Sequence, residues 1–370
     1  MPIWSPSFSR AAVLSAAVVL STPATMAVGT IAAAAPMSAA RAAHTATALT
    51  DGRVLVVGGF LAEISPVNAE LYDRARNRFI PVATTNTVRH SHTATRLADG
   101  RVLIVGGYGP DNTPTTRADL FDPSINRFVP TGALQQARSG HVAVLLADGS
   151  VLIAGGLGPD WTFLANAERY DPATGRFTAV GDMTTARESH VAVRLRNGRV
   201  LIVGGHQGRR ADMRLFASAE EYDPVTRRFT AVGDMQVRRH KHDAVLMADG
   251  QVLVTGGSDE RDDRGVYNHA ERYDPSTQRF TRLTATMHRS RYKHAGSSVL
   301  LPDGRVLIAG GAAQAEVYDP QRGQFALVGG RSDLAGQFSA VALLSDGSAL
   351  ITGGYGANLR PQASAWMFAP

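Results

Sequence analysis

Six times the chain carries the pattern Arg-x-x-His: Arg41/His44, Arg89/His92, Arg138/His141, Arg187/His190, Arg239/His242 and Arg291/His294. Each is followed further on by an acid: Glu70, Asp119, Glu168, Glu220, Glu271 and Glu316 in turn. Guanidinium, imidazole and carboxylate are the groups from which proton-transfer sites are assembled. A seventh unit has Gly336, Ser339 and Trp366 at these places, so all three polar groups vanish together. Loss in concert predicts one hydrogen-bonded network per unit, because removing a single member would strand buried partners. Arg89, His92, Arg138, His141, Glu168, Arg187, His190, Glu220 and Glu271 are accordingly assigned to a structural network. Six equivalent sites suit repeated packing better than one reaction. Two histidine pairs, His90/His92 and His240/His242, have the i, i+2 spacing of one strand face. Metal binding needs further convergent ligands, and none can be assigned. The run "DERDD" (Asp259–Asp263) lacks the glycine and ligand spacing of a calcium loop and reads as a solvated loop balancing "RRHKH".

The elements that must position these residues are repeats. "DGRVLVVGG" at Asp51 recurs, with small changes, at Asp99, Asp148, Asn197, Asp249, Asp303 and Asp346. First glycines of the pairs fall at 58, 106, 155, 204, 256, 310 and 353, a period that belongs to propellers rather than helical arrays. Period-two alternation, Asp-Gly and then "RVLIVGG" reads as a hairpin, with a type I′ turn in which both central residues take positive φ. A third strand such as "AERYDP" ends at proline, and a fourth such as "RFTAV" follows. Four strands in each of seven units predict an all-β, seven-bladed β-propeller. The last unit stops at its third strand. Aligning "IAAAAPMSAAR" (Ile31–Arg41) with "FTAVGDMTTAR" (Phe177–Arg187) makes residues 29–37 a displaced fourth strand that closes the ring and removes an edge.

Paired glycines after an apolar strand, "AERYDP" and an aromatic beyond the proline resemble kelch repeats. The version carrying "DGRVLIVGG" is similar to bacterial kelch-repeat proteins and to the propeller of the galactose-oxidase group. The resemblance implies a kelch propeller over residues 28–370, in a family that includes enzymes and protein-binding platforms. The copper-radical chemistry of galactose oxidase requires a tyrosine joined to a cysteine, and this chain has no cysteine. In kelch propellers the loops after the paired glycines and those entering strand one share a face. Here those loops bring Tyr108, Trp161, Tyr267 and Tyr355 towards one rim beside Arg209, Arg210, Arg238 and Arg289. Arg239 and Arg291 keep a ligand-binding reading as well, standing near the mouth of the channel. Aromatics beside arginines suit sugars bearing carboxylates or an acidic peptide, although long loops also pack their own aromatics. Unit six, with only "AAQ" after its glycines, is expected to leave a notch in the rim.

Composition sets the outer bounds. The chain has 370 residues, 44% of them apolar and 19% charged, which suits a globular core. Residues 1–27 order a basic residue (Arg10), an apolar run and small residues ending at Ala27, as a secretory signal peptide does. An uncleaved anchor is the other reading of that stretch. Net charge is +6, or +5 without Arg10, and an exported basic protein points to an anionic partner rather than nucleic acid. The expectation is a secreted or periplasmic monomer, with no cofactor and no membrane span in the mature chain. It would bind an anionic glycan or acidic protein segment. Kelch relatives acting on sialic acid keep a sugar epimerase or mutarotase as the alternative, and a purely structural envelope component is a third.

Overall fold

The computed structural model describes residues 1, 28–61, 68–82, 89–331, 333–334, 336–356 and 358–370. Apart from Met1, the expected signal peptide lies outside these residues. Seven four-stranded antiparallel blades are arranged as a ring, the seventh shared between the two ends of the chain. Blade 3 serves as the pattern: Val142–Leu145, Val151–Ala154, Ala167–Asp171 and Arg176–Ala179, paired in sequence order. The innermost strands of blades 1 to 7 start at Thr45, Thr93, Val142, Val191, Asp243, Ser298 and Ala340. Each touches the next, and the seventh touches the first. Among the described residues no helix is long and apolar enough to cross a membrane.

Closure has a definite register. Thr30–Ala34 runs antiparallel to Ala365–Ala369, with Ile31 opposite Phe368 and Ala33 opposite Trp366. Ile31 and Met37 are buried, and the Met37 amide donates to the Ala363 carbonyl at 2.8 Å. The core lies between blades. Leu103 and Val105 of blade 2 pack with Val151, Ile153 and Tyr170 of blade 3, so each second strand is covered on both faces and reads as a continuous apolar run. A ring pair fixes the outer strands of every blade from 1 to 6, as in Tyr170 against Phe177 at 4.8 Å.

The hairpin turn differs from the type I′ expectation. Only the glycine is left-handed, as at Gly52 (φ 84°), whereas Asp51 keeps a negative φ. The Gly52 amide donates to the Leu49 carbonyl and the Leu49 amide to Arg53, giving a three-residue loop with a glycine bulge. Aspartate or asparagine recurs there because its side chain accepts the amide two residues on, as Asp51 Oδ1 does from Arg53 at 3.0 Å. The paired glycines have a packing cause. A Cβ on Gly155 would fall 2.7 Å from His190 Cε1 and 2.9 Å from the Arg187 carbonyl, both in the next blade.

Candidate functional site

The residues between each arginine and histidine build the channel mouth. The second of them is left-handed in all seven units: Ala43, Ser91, Gly140, Ser189, Lys241, Lys293 and Phe338, with φ from 53° to 58°. A non-glycine residue pays about 1–2 kcal/mol for that conformation. The return is a belt of backbone hydrogen bonds from blade to blade, among them Gly140 to Ser91 (3.0 Å), Lys241 to Ser189 (3.1 Å), Lys293 to Lys241 (2.8 Å) and Phe338 to Lys293 (2.8 Å). The first of the two residues bridges to the one after the paired glycines in its own blade: His90 with Tyr108, Glu188 with His206, His240 with Ser258, Gln337 with Tyr355. The two loop sets therefore meet on one face around the channel.

This mouth is asymmetric. Blades 7, 1 and 2 contribute aromatic groups: Phe338 lies 6.1 Å from Tyr355, Tyr355 6.5 Å from Phe60, Phe60 3.6 Å from His90, and His90 4.9 Å from Tyr108. Blades 4, 5 and 6 contribute charge. Glu188 Oε2 is 3.4 Å from His206 Nε2, and His206 Nδ1 is 3.3 Å from His240 Nδ1. Lys241 Nζ donates to Asp262 at 2.7 Å. Lys293 Nζ donates only to Gln337 Oε1, at 3.3 Å, and stands 5.6 Å from the Phe338 ring; no carboxylate among the described residues pairs with it. Burial raises the Glu188 carboxyl to about 7, against the pull of Lys241 and Arg209. Burial, together with Lys241, lowers His206 to about 4 and His240 to about 3. Burial and then Lys241 also lower the Lys293 ammonium.

The residues expected on the rim divide. Arg209 is exposed and lies over the Trp161 ring, 3.1 Å from its centroid. Arg238 is exposed and paired with Glu260 at 3.0 Å, and Arg289 is exposed and bonded to Gln314. Tyr108 and Tyr355 reach the mouth itself. Tyr267 instead packs on His269 (4.5 Å) and beneath Arg239 (5.6 Å), the loop covering its own aromatic. Arg210 begins the short helix Arg210–Asp212, and its side chain lies outside what is described.

Three expectations need correction. Arg239 and Arg291 are fully buried and cannot touch a ligand on the rim. Each donates to a carboxylate, Glu271 at 2.7 Å and Glu316 at 2.8 Å, and to the carbonyl of its first paired glycine. The same pairing joins Arg41 to Glu70, Arg89 to Asp119, Arg138 to Glu168 and Arg187 to Glu220. Nor does histidine belong to that group within its own blade. His44 bonds Thr352, His92 bonds Thr45, His141 bonds Thr93, and His294 reaches the Thr255 carbonyl, each in the preceding blade. The network is double: arginine and acid brace the loop entering a blade, and in these four blades histidine stitches that blade to its neighbour. The i, i+2 histidines do not share a face either, because Ser91 and Lys241 turn left-handed between them. His90 looks into the mouth while His92 lies between blades.

Sequence reasoning passed over Glu188, His206 and Phe60, and counted Lys241 and Lys293 only within the basic segments "RRHKH" and "HRSRYKH" beside the expected notch and channel mouth. Their signal was present as the variable positions inside the repeat: the two between arginine and histidine, and the one after the glycines. A cavity of about 580 Å³ opens beside the mouth between blades 6 and 7, lined by Gly311 and Ala313 of the short loop and by Tyr355 and Trp366.

Comparison with known proteins agrees with this architecture. A novel fungal alcohol oxidase with catalytic diversity among the AA5 family, solved in complex with copper, is 18% identical and superposes with a TM-score of 0.72 over 93% of this chain and 76% of its own. At that identity the likeness is one of fold. The residues here do not fit a copper site of that kind: the chain has no cysteine, and among the described residues no three His, Asp or Glu side chains are grouped to hold a metal ion. No curated protein matches the chain. Residues 91–311 match the KLHDC2/KLHL20/DRC7 Kelch-repeats domain, and with more than half its length so matched the chain belongs to that Kelch-repeat family.

Proposed function

We propose that the protein is a binding module whose channel mouth takes an anionic group, carried by a glycan or an acidic protein segment outside the cytoplasm. Kelch propellers are in general binding modules. The observation that carries the anionic reading is Lys293. Its ammonium is lowered by partial burial and then by Lys241, an effect that Asp262 and Asp263 oppose without pairing with it, so an incoming carboxylate would supply the direct partner it lacks. The neighbouring Phe338, Tyr355 and Phe60 offer apolar faces for a sugar ring. Arg209 on Trp161 extends the basic rim outward. Titration with an oligogalacturonate, a glutamate-rich peptide and a neutral galactan separates the cases. The acidic probes bind, weaken as salt rises, and lose about tenfold in affinity in Lys293→Gln, the order expected when one charge-assisted contact of 1.5–3 kcal/mol is removed. Equal binding of the galactan, or no change in Lys293→Gln, rejects the reading.

Glu188 favours a second reading, that of a sugar epimerase or mutarotase. A carboxyl raised to about 7 and set 3.4 Å from a neutral imidazole can both give and accept a proton near neutral pH. Exchange spectroscopy on reducing uronic acids and hexoses tests it. Catalysed anomer exchange that falls at least a hundredfold in Glu188→Gln, with probe affinity retained, supports this reading. Exchange no faster than in buffer dismisses it.

A further inference from the structure

Six blades hold a guanidinium in one repeated cradle. In blade 3, Arg138 Nη1 donates to the Gly155 carbonyl at 2.8 Å and to the Asn166 carbonyl at 3.1 Å, and Nη2 donates to Glu168 at 3.1 Å. In blade 4, Arg187 repeats this on Gly204 (2.7 Å), Ser218 (3.0 Å) and Glu220 (2.9 Å). Blade 7 keeps the frame. Its Gly353 amide donates to the Ser364 carbonyl as Gly155 does to Asn166, so the Gly353 and Ser364 carbonyls occupy the two acceptor positions. No donor among the described residues reaches the buried Gly353 carbonyl. Such a group is rarely left without a partner.

The place of the arginine is taken by Gly336, and its backbone does not require glycine. Its φ lies outside the left-handed region, and a Cβ there would meet nothing nearer than Ala312 at 3.8 Å. What glycine does at this position is leave the cradle open. The cavity of about 580 Å³ between blades 6 and 7 lies beside the cradle, with Gly336, Ser364 and Trp366, though not Gly353, in its wall. That volume lies in the range of small-ligand pockets. Trp366 stands where the other blades place an acid, opposite Ile351 as Glu168 is opposite Ile153. An indole face is the best aromatic partner for a planar cation. Tyr355 adds a second ring, and Asp333, bonded to Arg331, a carboxylate at the margin. Lys293 is the cation on the inner side, tied to Gln337.

We propose that this seventh cradle binds a guanidinium group from outside the chain, either free arginine and its small relatives or an arginine side chain of a peptide. The site makes no use of the anion reading at Lys293 and is tested apart from it. Calorimetric titration of the full chain uses methylguanidinium, free arginine, a short arginine-containing peptide, and methylammonium and lysine as matched cations. Saturable one-to-one binding of guanidinium probes, at least tenfold tighter than of their ammonium counterparts, is the expected result. A peptide tighter than free arginine identifies a protein source, and the reverse order a small molecule. The variant Gly336→Arg/Trp366→Glu, which rebuilds the resident network, should lose at least tenfold in affinity. Should it not fold, Gly336→Met closes the space without adding charge and should lose binding equally. Absence of saturable guanidinium binding to the unaltered protein overturns the proposal, as does undiminished binding to the filled variants.

Discussion

Taken from pH 7 to pH 5, the protein is expected to unfold. The six histidines between blades are buried, and burial followed by the neighbouring arginine lowers His44, His190 and His294 to about 3. His92, His141 and His242 are held well below their ordinary value for the same two reasons. Geometry agrees, because Nδ1 of His44, His92, His141 and His294 meets no acceptor in the structure, so protonation would bury an unpaired charge. A base whose folded pKa is depressed contributes stability that is fully present above its unfolded pKa, near 6.5, and is lost as pH falls towards the folded value. The unfolded chain then binds more protons than the native one. Each fully buried histidine costs about 2 kcal/mol by pH 5, and six cost roughly 12, comparable with the 5–15 kcal/mol that holds a typical domain together. Glu188, raised to about 7, and Asp243, raised to about 6, act the other way and gain as pH falls, but they are two against these six and against His206, His240 and His269, which burial also lowers. Circular dichroism melts from pH 8 to pH 4 read the effect directly. His141→Asn should flatten the pH slope by about one proton's worth while lowering stability at pH 7. A thermal midpoint that holds constant between pH 7 and pH 5 would contradict the whole account.

The blades were legible in the sequence because each is specified by recurring local chemistry: the Asp-Gly or Asn-Gly turn and the apolar second strand in all seven, and an aromatic pair across the outer strands of six. Even closure by residues near Ile31 could be read, since that segment matches the fourth strand of other units and the last unit lacks one. The arginines misled for a physical reason. A charged residue in a loop entering the innermost strand looks accessible, and only the fold reveals that the glycine carbonyl and the acid take it below the surface. Histidine misled differently: its partner, such as Thr93 for His141, lies one blade back, and no pattern within a unit can point there. The mouth was obscured by its own regularity. Glu188, Lys241 and Lys293 sit inside a motif whose flanking arginine and histidine draw attention as scaffold, although the two intervening positions are those the belt aims at the channel.

Removing one partner of a buried arginine–acid pair should be the most damaging single change in the propeller. Arg187 and Glu220 are both essentially unexposed, and the carboxylate also accepts the Thr184 amide at 2.6 Å. In Glu220→Met the guanidinium stays buried beside the Gly204 and Ser218 carbonyls with its charge uncompensated, a loss of about 3–5 kcal/mol. The urea midpoint should fall accordingly with an unchanged slope. Arg187→Met/Glu220→Met should recover much of that loss, since the desolvation cost of both charges disappears with them. Recovery stays incomplete because two carbonyls lose their donor. The double-mutant cycle therefore gives a large coupling energy, with the double variant more stable than Glu220→Met alone. A single variant costing under about 1 kcal/mol would mean that the carbonyls alone carry the guanidinium. Blade 7, which keeps the carbonyl frame but has Trp366 in place of the acid, would then hold a guanidinium as firmly as the other six. The pair thus bears on function only through the blade that lacks it. Six identical braces cannot distinguish one ligand from another, whereas a mouth with Glu188 on one side and Lys293 on the other can.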